Sequence, residues 1–256
     1  MPIRSADLER VRALPLFAGI SDDLFRDVLG GAFLQRFPAG TTLLTEGDPV
    51  DFLYVLLDGA VELEGTWNDK ATTLAVLSPV STFILAAVVL DSEGLMGART
   101  LESSSILMVS GEALRRAMQR DAALCFTVAQ ELAACYRGVV RALKNQKLRG
   151  GIERLANYLL GQQARQGGAQ TFNLPHEKRV LASLLGMTPE NLSRAFANLG
   201  DYGVTVNGPS VTIGRPAVLQ RLAKPDPLID HMPPIAGLAA GGADLGRSAG
   251  PLRAAS

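Results

Sequence analysis

The period of the apolar positions changes twice along the chain. From Ser5 to Leu29 they fall at helical spacing: Leu8, Val11, Leu14, Leu16 and Phe17, then a second start at Ser21 with Asp22 and Asp23 in its first turn. Beyond Phe33 the spacing shortens. Runs rich in β-formers are parted by turn residues, predicting strands over Thr41–Thr45, Phe52–Leu57, Val61–Trp67, Ala71–Leu77 and Ser104–Val109. Asp58-Gly59 between two apolar runs is a hairpin signal. Many short strands at this spacing predict a β-sandwich or jelly-roll barrel.

The helical period returns at Gly111. The longest uninterrupted stretch runs from Asp121 to about Leu148, with Leu124, Val128, Leu132, Cys135, Val139 and Ala142 on one stripe. A narrow stripe with Arg137, Arg141, Lys144 and Lys147 around it predicts a helix that pairs with its copy in a second chain. The alternative is that the stripe packs on the chain's own barrel. Gly150-Gly151 ends this helix and marks a hinge, and another helix is predicted over Ile152–Ala164. Two helical segments between Leu174 and Leu199 are separated at Leu185-Gly186-Met187-Thr188, and Val204–Ile213 alternates around Asn207-Gly208 as a small hairpin. After Lys224 the chain is rich in Pro, Gly and Ala and reads as a disordered tail.

The segment from Lys178 to Ala197 carries the clearest signature. Ala182 is small enough for two helices to cross, Gly186 supplies the tight turn, and Leu181, Leu185 and Leu192 hold the pair together as a helix-turn-helix. Thr188 caps the second helix and Pro189 opens it. Its first turns then present Glu190, Asn191, Ser193 and Arg194. Arginine pairs bidentately with guanine, glutamate accepts from the amino group of cytosine, and serine suits either kind of base edge. Taken alone, Glu190 and Arg194 could equally be a first-turn charge and its i, i+4 partner. Three features favour DNA: Lys178 and Arg179 at the start of the first helix, the hairpin that can serve as a wing, and the local charge.

Charge matters only when counted by segment. The chain of 256 residues has 25 basic and 25 acidic side chains, so it is neutral overall. Residues 151–224 hold eight basic and four acidic groups and are the one net-positive block. Two cysteines, Cys125 and Cys135, cannot hold a four-thiolate iron–sulfur cluster, which is thereby excluded, and no signal peptide is recognisable; a reducing cytoplasm is expected. The longest apolar run, Phe83–Leu90, is far below the roughly 20 residues that span a bilayer, so no membrane segment is expected. Trp67, at a strand end, reads as core or rim packing.

With Glu46-Gly47-Asp48 and Tyr54-Val-Leu-Leu-Asp-Gly59 in the strand-rich half, a long helix, and a winged helix-turn-helix after it, the chain resembles the superfamily of the cyclic-AMP receptor protein and the fumarate and nitrate reduction regulator over about residues 8–224. The resemblance implies an α+β chain: a jelly-roll sensor domain over 1–120, a dimerisation helix over 121–149, a winged DNA-binding domain over 150–224 and a tail over 225–256. It implies a non-enzymatic homodimeric transcription regulator with double-stranded DNA, RNA polymerase (if it activates) and a small-molecule or redox effector as partners. Thr188-Pro-Glu-Asn-Leu-Ser-Arg194 is similar to the fumarate and nitrate regulator type and implies TTGAT-like half-sites.

The effector departs from the family pattern. A cyclic-nucleotide pocket needs an arginine for the phosphate and a glutamate for the ribose. The corresponding stretch here is the apolar Ser81–Leu90, and Arg99 falls late in its strand, which disfavours cyclic AMP. Haem stays open, since cysteine, methionine and the N-terminal group can ligate iron; His176 reads as a solvated neighbour of phosphate and His231 falls in the tail. The Phe83–Leu90 run with Leu95 and Met96 reads as barrel core or as an apolar effector pocket. Two rivals are a scaffold that keeps the fold without binding DNA and a cupin-type metal enzyme. Residues 30–110 contain no histidine to ligate such a metal.

Overall fold

The computed structural model describes residues 5–68 and 70–230. Three short helices open the chain: α1 (Ser5–Arg12), α2 (Pro15–Ala18) and α3 (Asp22–Leu29). Pro15 has no N–H to continue α1 and instead sits in the first turn of α2, while the Ser21 hydroxyl caps α3 by accepting from the Leu24 amide.

The barrel follows: β1 (Phe33–Phe37), β2 (Thr42–Leu44), β3 (Phe52–Asp58), β4 (Val61–Trp67), β5 (Lys70–Leu77), β6 (Ser81–Phe83), α4 (Leu85–Leu90), β7 (Gly97–Thr100) and β8 (Ser104–Ser110). Two antiparallel sheets, β1-β8-β3-β6 and β2-β7-β4-β5, face each other as a jelly roll. The five strands predicted from alternation are present. β1, β6 and β7 carry no usable period, because β1 is mostly exposed and the other two are very short. β3 is the opposite case, buried on both faces because the core lies under one and α1 and α4 cover the other, hence its unbroken apolar run. Gly59 turns β3 into β4 at φ +96°, where a side chain would meet the Ser104 backbone. In the Phe83–Leu90 stretch, Phe83, Leu85 and Val88 are core residues. Leu90 and Leu95 are exposed, as is Trp67 near the β4–β5 turn, which is neither core nor rim packing.

After α5 (Gly111–Arg120) comes the long helix α6 (Ala122–Leu148), capped by Asp121, whose carboxylate accepts from the Leu124 amide at 2.7 Å. Its faces are assigned differently from the sequence reading. Leu124 and Val128 are 0% and 1% exposed and belong to the barrel core, Leu132 packs partly against them, and Cys135 is half-buried. α2 and α5 pack against this helix. Only Val139 and Ala142 of the expected seam are exposed. The solvent-exposed face carries Phe126, Ala129, Ala133, Tyr136, Val140 and Leu143, at steps of three and four, with Phe126 65% and Tyr136 70% exposed. The helix is apolar on two sides, and the end near the barrel uses the first of them for its own core.

The second domain holds α7 (Gly151–Arg165), β9 (Thr171–Asn173), α8 (Lys178–Leu184), α9 (Pro189–Leu199), a 3-10 turn (Gly200–Tyr202), β10 (Val204–Asn207), β11 (Ser210–Ile213) and α10 (Pro216–Ala223). β9 adds a third strand to the predicted hairpin, in the order β10-β11-β9. Leu155, Leu159, Leu181, Leu192, Phe196, Val211 and Leu219 are among its own separate core. The chain does not stop being ordered at Lys224. It forms α11 (Pro227–Asp230), whose Asp230 is paired with Arg149, an anchor that composition does not reveal. The remainder of the expected tail, including His231, lies outside the described residues. No helix among the described residues is long and apolar enough to cross a membrane.

Because Leu124 fills the barrel core, Leu124→Ala is expected to lower the unfolding free energy by about 2–5 kcal/mol in urea titrations. A residue held only between two chains would instead show its effect in the dimer equilibrium.

Candidate functional site

α8 and α9 cross as a helix-turn-helix, and the turn is built by Gly186 at φ +62°. A Cβ there would stand 2.7 Å from Oε1 of Gln146, so the turn also lies against the end of α6. Thr188 caps α9 by accepting from the Asn191 amide at 3.2 Å, and Pro189 fills the first helical position. Leu192, Ala195, Phe196 and Leu199 face inward, and Glu190, Asn191, Ser193 and Arg194 face solvent. The Glu190 carboxyl is held below its ordinary value by its own backbone N–H, then by the Thr188 hydroxyl and the Arg194 charge. Ser193 donates to the Pro189 carbonyl at 2.9 Å. Lys178 and Arg179 are exposed on the first turn of α8, and β10–β11 stands beyond α9 as the wing.

The helix-turn-helix is docked on the barrel. β5 is an edge strand of its sheet, so part of its backbone has no strand partner. Ser183 of α8 meets that edge, its Oγ accepting from the Thr73 amide at 2.6 Å and lying 3.4 Å from the Thr72 hydroxyl. Thr73 Oγ1 donates to Glu62 Oε1 at 2.5 Å, and Arg99 Nη2 donates to Glu62 Oε2 at 2.7 Å. Val61, Leu63 and Ala98 point into the barrel core, so Glu62 and Arg99, their strand neighbours, point outward. Glu62 is nevertheless only 3% exposed. A chain of polar contacts therefore runs from β7 through β4 and β5 to α8. Sequence reasoning missed Glu62, Thr73 and Ser183, because their partners come from distant segments.

His176 lies on this docked side, not in solvent. Burial first, and then the Arg165 charge, pull its pKa below the ordinary 6.5, against the Pro175 backbone and Glu62, which favour the protonated ring.

The inner side of the barrel is apolar around α4. Among the described residues the buried polar and charged groups of the first domain are Asp7, Glu62, Thr73, Ser81, Thr82, Thr100 and Ser104, with no arginine, and of these Glu62 and Thr73 lie on the outer face. α4 is Leu-Ala-Ala-Val-Val-Leu, and Tyr54 stacks on Phe83 at 5.1 Å between ring centroids. Arg99 is engaged by Glu62 on the other side of the sheet. On α6, burial and then Glu131 push the Cys135 thiol up, which makes it a less reactive thiol than a free cysteine.

A jelly-roll barrel joined through a long helix to a winged helix-turn-helix is the architecture of a DNA-binding regulator with an attached sensor-type domain. Residues 34–121 match the cyclic nucleotide-binding domain family, and residues 153–222 match the Crp-like helix-turn-helix domain family. The chain is similar to the cyclic AMP receptor protein of Thermus thermophilus, 26% identical over 215 residues that cover 83% of this chain and 98% of that protein. Its fold is similar to that of FixK2 from Bradyrhizobium japonicum, with TM-score 0.65, 22% identity, and 75% and 96% of the two chains covered. A Eubacterium rectale protein described as a transcriptional regulator of the crp/fnr family has TM-score 0.68 at 14% identity, with 83% and 99% covered. The chain belongs to the superfamily of the cyclic-AMP receptor protein and the fumarate and nitrate reduction regulator, and is a transcription regulator of that type.

His176 is half-buried with a lowered pKa, so the unfolded chain takes up a proton before the folded one does. Stability is expected to be full above pH 6.5 and to fall as pH drops through that value towards the lower folded pKa. His176→Gln should flatten this part of the Tm-against-pH curve, and an unchanged slope would place His176 in solvent.

Proposed function

We propose that the protein is a homodimeric regulator that reads inverted TTGAT-like half-sites with Glu190, Ser193 and Arg194. Thr188 and Asn191 position the start of the reading helix, and Lys178 and Arg179 meet phosphates. The observation that carries this reading is the exposed trio on a helix whose start is fixed by Thr188 and Pro189. Charge supports it: the module around that helix is the net-positive block of a neutral chain. Residues 1–120 act as the sensor, 121–149 as the dimerising helix and 150–224 as the DNA-binding module.

The dimer seam is the exposed stripe Phe126, Ala129, Ala133, Tyr136, Val140 and Leu143. Its three-and-four spacing is the heptad pattern of a left-handed helix pair, and alanines at two successive positions let the helices approach closely. Leu124 and Val128 take no part in it, being covered within one chain. Two modules related by a two-fold axis then meet half-sites one helical turn apart. RNA polymerase is the further partner if the protein activates.

The effector is not a cyclic nucleotide held by an arginine–phosphate pair. The Thermus relative is named a cyclic AMP receptor protein, whereas here Arg99, the arginine of β7, is already engaged by Glu62 on the outer face of the sheet. With added cyclic AMP, isothermal titration of the purified protein is expected to show no saturable heat.

Arg194→Ala should lower affinity for a duplex with inverted TTGAT half-sites, measured by fluorescence anisotropy at fixed salt. Losing one bidentate base contact costs about 1–3 kcal/mol per half-site. A scrambled duplex should respond far less, and equal losses on both would overturn the base-reading role. Val140→Asp should yield monomers in sedimentation velocity and abolish tight binding to the palindrome. A persistent dimer would reject the seam.

A further inference from the structure

The sequence presents Gly150-Gly151 as a free pivot between α6 and the DNA-binding module, but the structure surrounds it with bonds from the other end of that module. Arg149, the last residue before the glycines, has a side chain only 7% exposed. Its Nη1 and Nη2 donate to the two carboxylate oxygens of Asp230 at 2.6 and 2.7 Å, a bidentate pair. The same guanidinium reaches Asn145 Oδ1 at 3.2 Å on α6 and the Lys224 carbonyl at 3.4 Å. Asp230 also accepts from the Asp226 amide at 2.7 Å, which fixes the carboxylate in place.

The neighbouring bonds extend the enclosure. Glu153 on α7 accepts from the Gly150 amide at 2.9 Å and lies 3.7 Å from Lys224 Nζ. Asn157 on α7 donates to the Ala223 carbonyl at 2.7 Å, and Arg154 donates to the Arg149 carbonyl at 2.6 Å. Every residue from Arg149 to Arg154 that has a charged side chain is thus bonded across the junction. Burial alone would raise the Asp230 carboxyl, but the Arg149 hydrogen bond, the Asp226 amide and the Arg149 charge outweigh it and keep it ionised at neutral pH.

We propose that residues 224–230 form a clamp that closes over the hinge through Arg149–Asp230 and sets the angle at which the recognition helix leaves the dimerising helix. Arg149 and Asp230 are positioning residues, and the proposal rests on the DNA-reading function argued above. Glycine at two successive positions makes the unclamped junction soft, and a soft junction populates many module orientations. Only a fraction of these would fit a palindrome, so apparent affinity falls by that fraction. A bidentate pair with a covered arginine has a further property: breaking it leaves that guanidinium without its charge partner, so the clamp opens as a unit.

The test uses Asp230→Asn in the full chain, with Asp230→Glu as the conservative variant. Trypsin cleaves after an arginine only when that side chain can enter its specificity pocket, which Arg149 cannot do while clamped. Asp230→Asn is expected to speed cleavage of the Arg149–Gly150 bond under limiting protease at least about tenfold over the parent, because cleavage follows the population of the opened state. Cleavage after the α5 arginines should be unchanged, and the melting temperature of the barrel should stay the same. Affinity for the palindromic duplex is expected to drop about tenfold, and Asp230→Glu should restore both readouts. If the Arg149 bond stays resistant in Asp230→Asn, there is no clamp. If it is cut but the parent and the variant bind the palindrome equally, the contact is structural and sets no angle. If the parent itself does not distinguish the palindrome from a scrambled duplex while the cleavage changes as expected, the clamp stands as a hinge lock and the DNA-reading assignment is the part that fails.

Discussion

The burial of Leu124 and Val128 in the barrel is the constraint on which the rest of this molecule depends. Those two side chains dock the first turns of α6 against the β-domain, beside α2 and α5. Once that face is used, rotation about the helix axis is no longer free, and the second apolar face has to point away from the barrel. The stripe from Phe126 to Leu143 is therefore presented outward by the packing of the opposite side. The same docking decides where the helix ends relative to the barrel. From there Gln146 lies against Gly186, and Arg149 reaches Asp230.

The DNA-binding module is a separate core, yet it is not loosely attached. An edge strand exposes unpaired backbone groups, and β5 has one of them satisfied by Ser183 of α8. Behind that contact, Thr73, Glu62 and Arg99 form a buried polar chain across three strands. Buried charges are tolerated when paired and hydrogen-bonded, and Glu62 has two such partners. This arrangement also fixes which way the arginine of β7 points in the barrel. That arginine faces outward to hold the docking surface together, while the inside is packed with side chains such as Tyr54 and Phe83.

How much was legible in advance follows the range of the interactions. The recognition helix could be read in detail because its signals are local: Thr188 and Pro189 start it, Gly186 makes the turn before it, and the leucine spacing marks its buried side. The strands with regular alternation were legible for the same reason. β6, β7 and β9 were not, because none is a run of alternation bounded by turn signals on both sides, and such a strand exists only through the neighbour it pairs with. The order of the segment after Lys224 was also hidden, since a Pro-rich composition argues for disorder and a single distant arginine overrides it.

The sequence alone determined the sum of the parts: a strand-rich domain, a long helix, a helix-turn-helix with a wing, and the outward residues of its second helix. These depend on periodicity, caps and turns that act within a few residues. Tertiary structure alone decided which apolar face of α6 turns to the barrel, that Arg99 faces out to Glu62, that His176 is half-buried, and that the glycine hinge is enclosed by Arg149 and Asp230. Each of these is a choice between chemically equivalent options, settled by a partner 20 or more residues away whose position no local pattern records.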